Sequence, residues 1–395
     1  MTDSQKAKPR RKIQFGIRSL LVLMLVFGVG VGWYVSHVRD VARENKIVET
    51  LGEQGLGVRT FSRKHYPIEK LFGRRLYPEH YSIDCTSVDV ELLAQAKNLK
   101  NVWSLQIASL NGNDLSAVQG FENLQSITVS ECRNLESLDG INGLQKLERL
   151  WLFDVGQLKD ISAMEGMKSL ENFCALKGNC SCSLKPLLGV PKLKSFNVNG
   201  NRKLGDLDVL LELPELESVT LFGSDLHSLR ILEKSEELRE LDISTCRQLE
   251  DFEALGKLAK LRELSLQGKY IGALPNSENL KELFQLTLFD CDSLKGSSAC
   301  ANHIIILNGH LKTLEGIESF KNAGTIEFTQ MRFEDLSDLK ILKDVEEINL
   351  RYCLLGNLAI EANNPQIEKL RSELPNTNLI VGPRALPGIF PPDEE

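Results

Sequence analysis

The residues of this 395-residue chain best suited to metal, redox or nucleophilic chemistry are its nine cysteines and six histidines. Their spacing is the first thing to weigh. Cys174, Cys180 and Cys182 fall within nine residues, which admits a metal site, a local disulfide or a loop with incidental thiols. Structural zinc usually takes a second pair of ligands at short spacing, and no such pair is present. A disulfide here requires an oxidising compartment. Cys300, His303 and His310 come nearest to a second cluster, and they read as turn residues rather than ligands. No Gly-rich phosphate loop leads to a Lys-Ser/Thr pair, and there is no His-Glu-x-x-His and no Gly-x-Ser-x-Gly elbow. Gly28, Gly30 and Gly32 follow no strand and lie in an apolar stretch, so they are not a nucleotide fingerprint. The expectation is a chain that is not an enzyme, with no catalytic residue, no metal and no cofactor.

The other cysteines are explained by a repeat. From residue 83 to residue 350, two apolar residues flanking one outward residue return every 22 or 23 positions. Examples are Ile83/Cys85, Leu105/Ile107, Leu150/Leu152, Val219/Leu221, Leu264/Leu266, Ile326/Phe328 and Ile348/Leu350. A period in the low twenties marks a solenoid, whose units bury their apolar faces only against each other. Alternation such as Leu150-Trp151-Leu152 reads as a short strand. The following spacing by threes (Val155, Leu158, Ile161, Met164, Met167, Leu170) suits a tight turn and a 3₁₀ or short helix. Asp114, Ser137, Asp160, Ser183, Asp206, Ser228, Asp251 and Asp335 precede that second part, where a short side-chain oxygen can accept a backbone hydrogen bond. Cys132, Cys246, Cys291 and Cys353 share one inward position three residues after the strand pair. They and Cys85 are expected to be buried structural thiols.

These residues resemble the leucine-rich-repeat family over roughly residues 81 to 381. The tail of each unit, such as Leu158-Lys159-Asp160-Ile161-Ser162-Ala163-Met164, is similar to the bacterial internalin-type variant. The resemblance implies an α/β leucine-rich-repeat solenoid, a curved parallel sheet with short helices or 3₁₀ turns on the convex side. It also departs from the family: the usual asparagine after the strand pair survives only at Asn201, its place being taken by the cysteines, Val155, Ser224, Lys269 or Met331. The interval from Leu286 to Ile304 is shorter than the others, which leaves the register near Gly296 to His303 the least defined.

The net charge is −7, and residues 1 to 18 carry +5 of the total against −12 for the remainder. An acidic repeat region argues against a nucleic-acid partner, which needs a basic face. The basic segment precedes twenty residues, Ser19 to Val38, without Asp, Glu, Lys or Arg, enough as a helix for a ~30 Å hydrocarbon core at ~1.5 Å per residue. Trp33, Tyr34 and His37 sit at its far end, where amphipathic rings favour the interface. The cationic front places the N-terminus in the cytoplasm and the repeats outside. A cleaved signal peptide is the rival reading. The bulky Trp33 to Val38 stretch lacks the small residues of a cleavage site and favours an uncleaved signal-anchor in the cell (inner) membrane. Gly28 and Gly32 make a Gly-x-x-x-Gly pair that permits a homodimer through the membrane helix.

The expected organisation is a cytoplasmic basic tail (1–18), a transmembrane signal-anchor (19–38), a juxtamembrane helix and N-terminal cap (39–80), the solenoid (81–362), a C-terminal cap (363–381) and a disordered tail (382–395). Within the C-terminal cap, Pro365 to Leu374 reads as a helix capped by Asn363 or Asn364 and stopped by Pro375. Leu379 to Val381 reads as a last edge strand.

A binding site on such an arc lies on the concave side, lined by the outward strand residues: Gln106, Thr128, Trp151, Cys174, Asn197, Thr220, Asp242, Ser265, Thr287, Ile305, Glu327 and Asn349. Most are small and polar, so the large rings stand out as candidate anchors: Trp151, Phe153, Phe222, Phe289 and, near the last strand, Tyr352. The alternative is that these rings fold over neighbouring strands and only cover the sheet. The expected function is a non-enzymatic membrane-anchored module that binds a protein or peptide partner outside the cytoplasmic membrane. The other reading is an envelope-scaffolding protein that binds cell-wall polymer or self-associates.

Overall fold

The structure is a computed structural model that describes residues 17–61, 80–85, 90–110, 112–156, 158–177, 182–199, 206–223, 226–274, 279–295 and 301–382. It is the expected leucine-rich-repeat solenoid. A long helix, α1 (Ile17–Glu53), leads to β1 (Gly57–Phe61) and β2 (His80–Cys85), which pair antiparallel. From β2 onward the ladder strands are parallel: β3 (Val102–Ala108), β4 (Ser126–Ser130), β5 (Arg149–Phe153), β6 (Asn172–Leu176), β7 (Ser195–Asn199), β8 (Ser218–Phe222), β9 (Glu240–Asp242), β10 (Glu263–Gln267), β11 (Gln285–Phe289), β12 (His303–Leu311), β13 (Thr325–Phe333) and β14 (Glu347–Arg351). A small antiparallel pair, β15 (Leu354–Leu355) with β16 (Leu358–Ala359), lies beside β13, and β17 (Asn378–Val381) closes the sheet against β14.

The strand pairing aligns the apolar residues into two inward rows. Leu150 stands beside Ile127 and Phe173, and Leu152 beside Val129 and Ala175. In the unit from Leu147 to Leu170 every residue of the apolar spacing, Val155 included, is at most 5% exposed. The short interval before Ile304 keeps register: β11 aligns Leu286 with Ile304 and Leu288 with Ile306. His303 and His310 are therefore strand residues of β12, not turn residues, because the ladder continues through that irregular unit. His310 Nε2 lies 2.8 Å from Glu334 Oε1.

Three local devices recur where the chain turns between repeats. Just past the strand one residue takes the left-handed conformation, as in Ser109, Glu131, Asp154, Lys177, Asp290 and Tyr352, and the longer β12 and β13 bend at Asn308 and Gln330 in the same way, with φ from 48° to 59° throughout. Such a φ costs an L-residue roughly 1–2 kcal/mol. It aims the amide into the next repeat, as where Glu131 N–H donates to Phe153 O (2.9 Å) and Asp154 N–H to Leu176 O (3.0 Å). Next, the short polar side chains accept the backbone N–H two residues on, at 2.7–3.3 Å, in Asp114, Ser137, Asp160, Ser183, Ser228, Asp251 and Asp335. Asp206 differs: it is itself left-handed and accepts from Ser183 Oγ (2.6 Å). Finally, glycines allow close approach between repeats. A Cβ on Gly156 would stand 1.8 Å from Arg133 O, and one on Gly140, whose φ is +108°, 2.1 Å from Leu115 O.

The cysteine ladder is buried as its position implied. Cys85, Cys132, Cys246, Cys291 and Cys353 are free thiols, none more than 3% exposed. The thiols of Cys246 and Cys353 donate to carbonyls of the preceding repeat, Leu221 O (3.0 Å) and Phe328 O (3.3 Å), and Cys132 Sγ accepts from Leu110 N–H (3.2 Å). A thiol thus binds backbone groups at a place where the family uses an amide. Asn201 itself lies outside the described residues. Cys182 is disulfide-bonded and Cys174 is a free thiol, while Cys180 and Cys300 lie outside the described residues. Exposed pairs such as Lys159–Glu136 (2.6 Å) and Lys194–Glu171 (3.2 Å) join successive units. At ~0–1 kcal/mol each, they add little to the buried core.

Each end of the array is covered. At the first repeat, α1 contributes Leu51 (0% exposed), with Ile47 and Val48 packed against the core. Glu44 is buried there, accepting from the Tyr81 hydroxyl (3.0 Å) and Lys100 N–H (3.5 Å). Burial and the Glu44 charge push the Tyr81 hydroxyl pKa up. Residues 62–79, expected to belong to the cap, lie outside the described residues. At the other end, α2 being the short helix Val90–Ala96 of the first repeat, α3 (Pro365–Glu373) buries Ile367 and Leu370. Asn364 caps α3 by accepting Gln366 N–H (2.9 Å), and Gln366 Oε1 accepts Leu336 N–H (3.0 Å).

Candidate binding face

The outward row of the sheet is continuous. Register places Gln106, Thr128, Trp151, Cys174, Asn197 and Thr220 side by side on β3 to β8, then Asp242, Ser265, Thr287, Ile305, Glu327 and Asn349 on β9 to β14. The two halves of this row differ. Thr287 and Asn349 are only 6% and 3% exposed, whereas Trp151 stands 42% exposed and Gln106 is exposed as well. The large ring is flanked by the short side chains of Thr128 and Cys174, so nothing on either neighbouring strand is tall enough to cover it. Cys174 is half-buried, and burial pushes its thiol pKa up to about 11.

Trp151 does not stand alone. Phe153, on the same face of β5, meets it edge-on, with ring centroids 6.1 Å apart and planes at 77°. This is within the favoured range for an edge-to-face aromatic pair. Phe153 is itself half-buried, with Ser130 and Leu176 beside it in register. The result is a two-ring platform on one strand, set among hydroxyl and amide side chains, with Arg149 at the start of the same strand.

The other candidate rings are placed differently. Phe289 ends β11, six strands from β5, which at ~4.8 Å per strand is roughly 29 Å away, and it is half-buried. The side chain of Phe222, at the end of β8, lies outside the described residues. Tyr352 is not in the outward row. It occupies the left-handed turn after β14 (φ 55°) and is half-buried. Gly28 and Gly32 lie in α1 with open space where a Cβ would be.

Two features were not read from the sequence. Phe284, one residue before β11, is 53% exposed, and Phe61, 48% exposed at the end of β1, meets Trp103 edge-on at 5.8 Å. Phe284 lies just outside a repeat's apolar pattern, so periodicity gave no signal for it, and Phe61, a residue of the expected cap, is more exposed than a covering role implies. The second is a groove of about 520 Å³ at the first two repeats, with Lys97, Lys100, Asn101, Glu122 and Asn123 among its lining. Lys100 Nζ is 3.0 Å from Asp40 Oδ2 of α1, and that hydrogen bond and charge hold the carboxyl below the usual carboxylate range. Asn123 Nδ2 donates to Lys100 O (2.6 Å). A hint was present in the lysines at 97 and 100, but only docking of α1 brings Asp40 beside Lys100.

No protein-family model and no curated protein sequence matches the chain. Solved structures do. An internalin of Listeria monocytogenes superposes with a TM-score of 0.51 at 18% identity, over 76% of this chain and 85% of the other. A leucine-rich-repeat protein of Leptospira interrogans does so with a TM-score of 0.51 at 19% identity, over 75% and 81%. At such identities the likeness is one of fold, and it agrees with the internalin-type repeat tail noted above.

Proposed function

We propose that this leucine-rich-repeat solenoid is a membrane-anchored interaction module that captures a protein or peptide partner on its concave face, outside the cytoplasmic membrane, without chemistry of its own. One observation carries the reading: Trp151, the large ring of the outward row, is 42% exposed and propped edge-on by Phe153. A rigid, already upright aromatic loses little conformational freedom on binding, and tryptophan is over-represented among residues that dominate binding energy. Phe289 and Phe222, at the ends of β11 and β8, are secondary anchors along the same arc, and Tyr352 is a further one in the turn after β14.

The anchor is α1, whose apolar part is long and uncharged enough to cross a bilayer. The basic residues before it favour a cytoplasmic N-terminus. Fusing topology reporters to each terminus tests this placement, and a cytoplasmic C-terminus would sink it. Capture with the repeat region tests the ligand class. Recovery of one stoichiometric protein, lost on Trp151→Ala while folding is preserved, supports the reading. Unchanged capture by Trp151→Ala retires the concave site, and retention of glycan in place of protein favours the envelope-scaffold reading.

A further inference from the structure

The place where α1 meets the first repeat is well defined. Tyr34, Val38 and Val41 are half-buried on one face of α1, while Val31, Trp33 and Val35 are 45%, 53% and 41% exposed. The ion pair between Asp40 and Lys100 lies two residues past Val38, the last residue of the uncharged stretch. At ~1.5 Å of rise per residue that is about 3 Å along the helix. The headgroup layer on each side of a bilayer is roughly 5–8 Å deep. Trp33, stacked on His37 with centroids 5.1 Å apart and planes at 9°, lies seven residues before Asp40, about 10 Å nearer the bilayer core, at the inner edge of the interface that such rings favour. Because α1 is unbroken to Glu53 and packs on the first repeat, the solenoid cannot swing clear on a flexible stalk. The groove lined by Lys97 and Lys100 is therefore held at headgroup depth.

We propose that this groove binds the headgroup of an anionic, hydroxyl-bearing glycerophospholipid. The inference rests on the reading that α1 spans a membrane. The lipid phosphate would lie between the ammonium groups of Lys97 and Lys100. Asp40 fixes the Lys100 side chain in place, and Lys97 forms no ion pair among the described residues. Glu122, the acidic residue of the lining, repels a bare phosphate but accepts a hydrogen bond from a headgroup hydroxyl, which is why the site favours a glycerol-type headgroup. The acyl chains would run along the exposed apolar surface of α1.

The test uses the full chain reconstituted in nanodiscs of phosphatidylcholine containing a minority of phosphatidylglycerol, with retained lipid counted by native mass spectrometry. Phosphatidylglycerol is expected to be retained over phosphatidylcholine. Lys97→Gln should lower that retention about fivefold, the effect of one cation at an anionic surface, and Lys97→Arg should restore it. Glu122→Gln should narrow the preference for phosphatidylglycerol over phosphatidic acid. Equal retention in wild type and Lys97→Gln overturns the site. Displacement of the lipid by millimolar inorganic phosphate makes it a free-anion site and overturns the lipid assignment. Carbonate extraction separates the two levels of the argument: release of the chain overturns the membrane reading itself. A chain that stays inserted but shows no lipid preference overturns the headgroup site alone.

Discussion

Leu51 offers a stringent test of how the first repeat is closed. It is the residue of α1 that is wholly buried (0% exposed), where the helix meets β1 and α2. Leu51→Ala removes three carbons from that contact, about 2.4 kcal/mol at ~0.8 kcal/mol per methylene. The residual cavity raises the cost toward the usual 2–5 kcal/mol for this substitution. About 3 kcal/mol is expected, equivalent to a hundredfold or more in a local opening constant. A solenoid distributes stability through nearest-neighbour interfaces, so the loss should be local. Hydrogen exchange of the detergent-solubilised full chain reads this directly. Amides of β2 and β3 should exchange about a hundredfold faster, while those of β12 and β13 remain unchanged. Leu21→Ala, at a site 60% exposed in the same helix, is the control and should leave β2 and β3 as they were. Unchanged protection of β2 and β3 in Leu51→Ala would refute the reasoning, as would equal acceleration along the whole array.

Three other outcomes are expected. Gly140→Ala should destabilise by several kcal/mol in urea unfolding, because its φ of +108° is strained for alanine and the Cβ would meet Leu115 O at 2.1 Å; a midpoint within error of wild type would contradict the repeat contact. The thiols of Cys85, Cys291 and Cys353 are pushed up to about 12, with burial the first cause, and should resist a thiol reagent at pH 8 until the chain is unfolded. A folded pKa above the unfolded value near 9 stabilises the fold below pH 9, and that stability is lost as pH rises from 9 toward 12; a flat alkaline profile would speak against it. Asp114 is held below the usual range by the Ser116 N–H, Asp251 by the Ser228 hydroxyl and Asp335 by the Ser337 hydroxyl, each the largest cause at its site. Depressed folded values mean that this contribution is present above about pH 4 and lost as pH falls below it, which an acid-unfolding series on Ser228→Ala should show as a weakened dependence.

How legible was this molecule in its sequence? The strand rows were legible from Ile83 to Ile348, least so before Ile304, because a side-chain period of two and a repeat of 22 or 23 leave one arrangement that buries the apolar pair of each strand. The same logic placed the cysteine ladder inside and assigned the turn-capping roles of Asp114 through Asp335, Asp206 excepted. The left-handed residue that follows many of the strands was not legible. Its types, from Ser109 to Lys177 to Tyr352, share no chemistry, and the conformation is imposed by the hydrogen bond to the next repeat. For the same reason the turn position of Tyr352, just past β14, was not legible either. The strand character of His303 and His310 was hidden by the short interval before them.

By itself, the sequence determined the solenoid, its inward and outward rows, its buried thiols and an apolar helix long enough for a bilayer. These are matters of period and of apolar burial, which are local and repeated along the chain. Only the tertiary structure decided which outward rings stand free, since the height of Trp151 depends on the short Thr128 and Cys174 of neighbouring strands and on Phe153 beneath its edge. It alone decided that α1 closes the first repeat, burying Leu51 and Glu44 and bringing Asp40 to Lys100. Those contacts join residues 37 to 60 positions apart, and no repeating pattern records them. They depend on the angle at which one helix meets one end of the array.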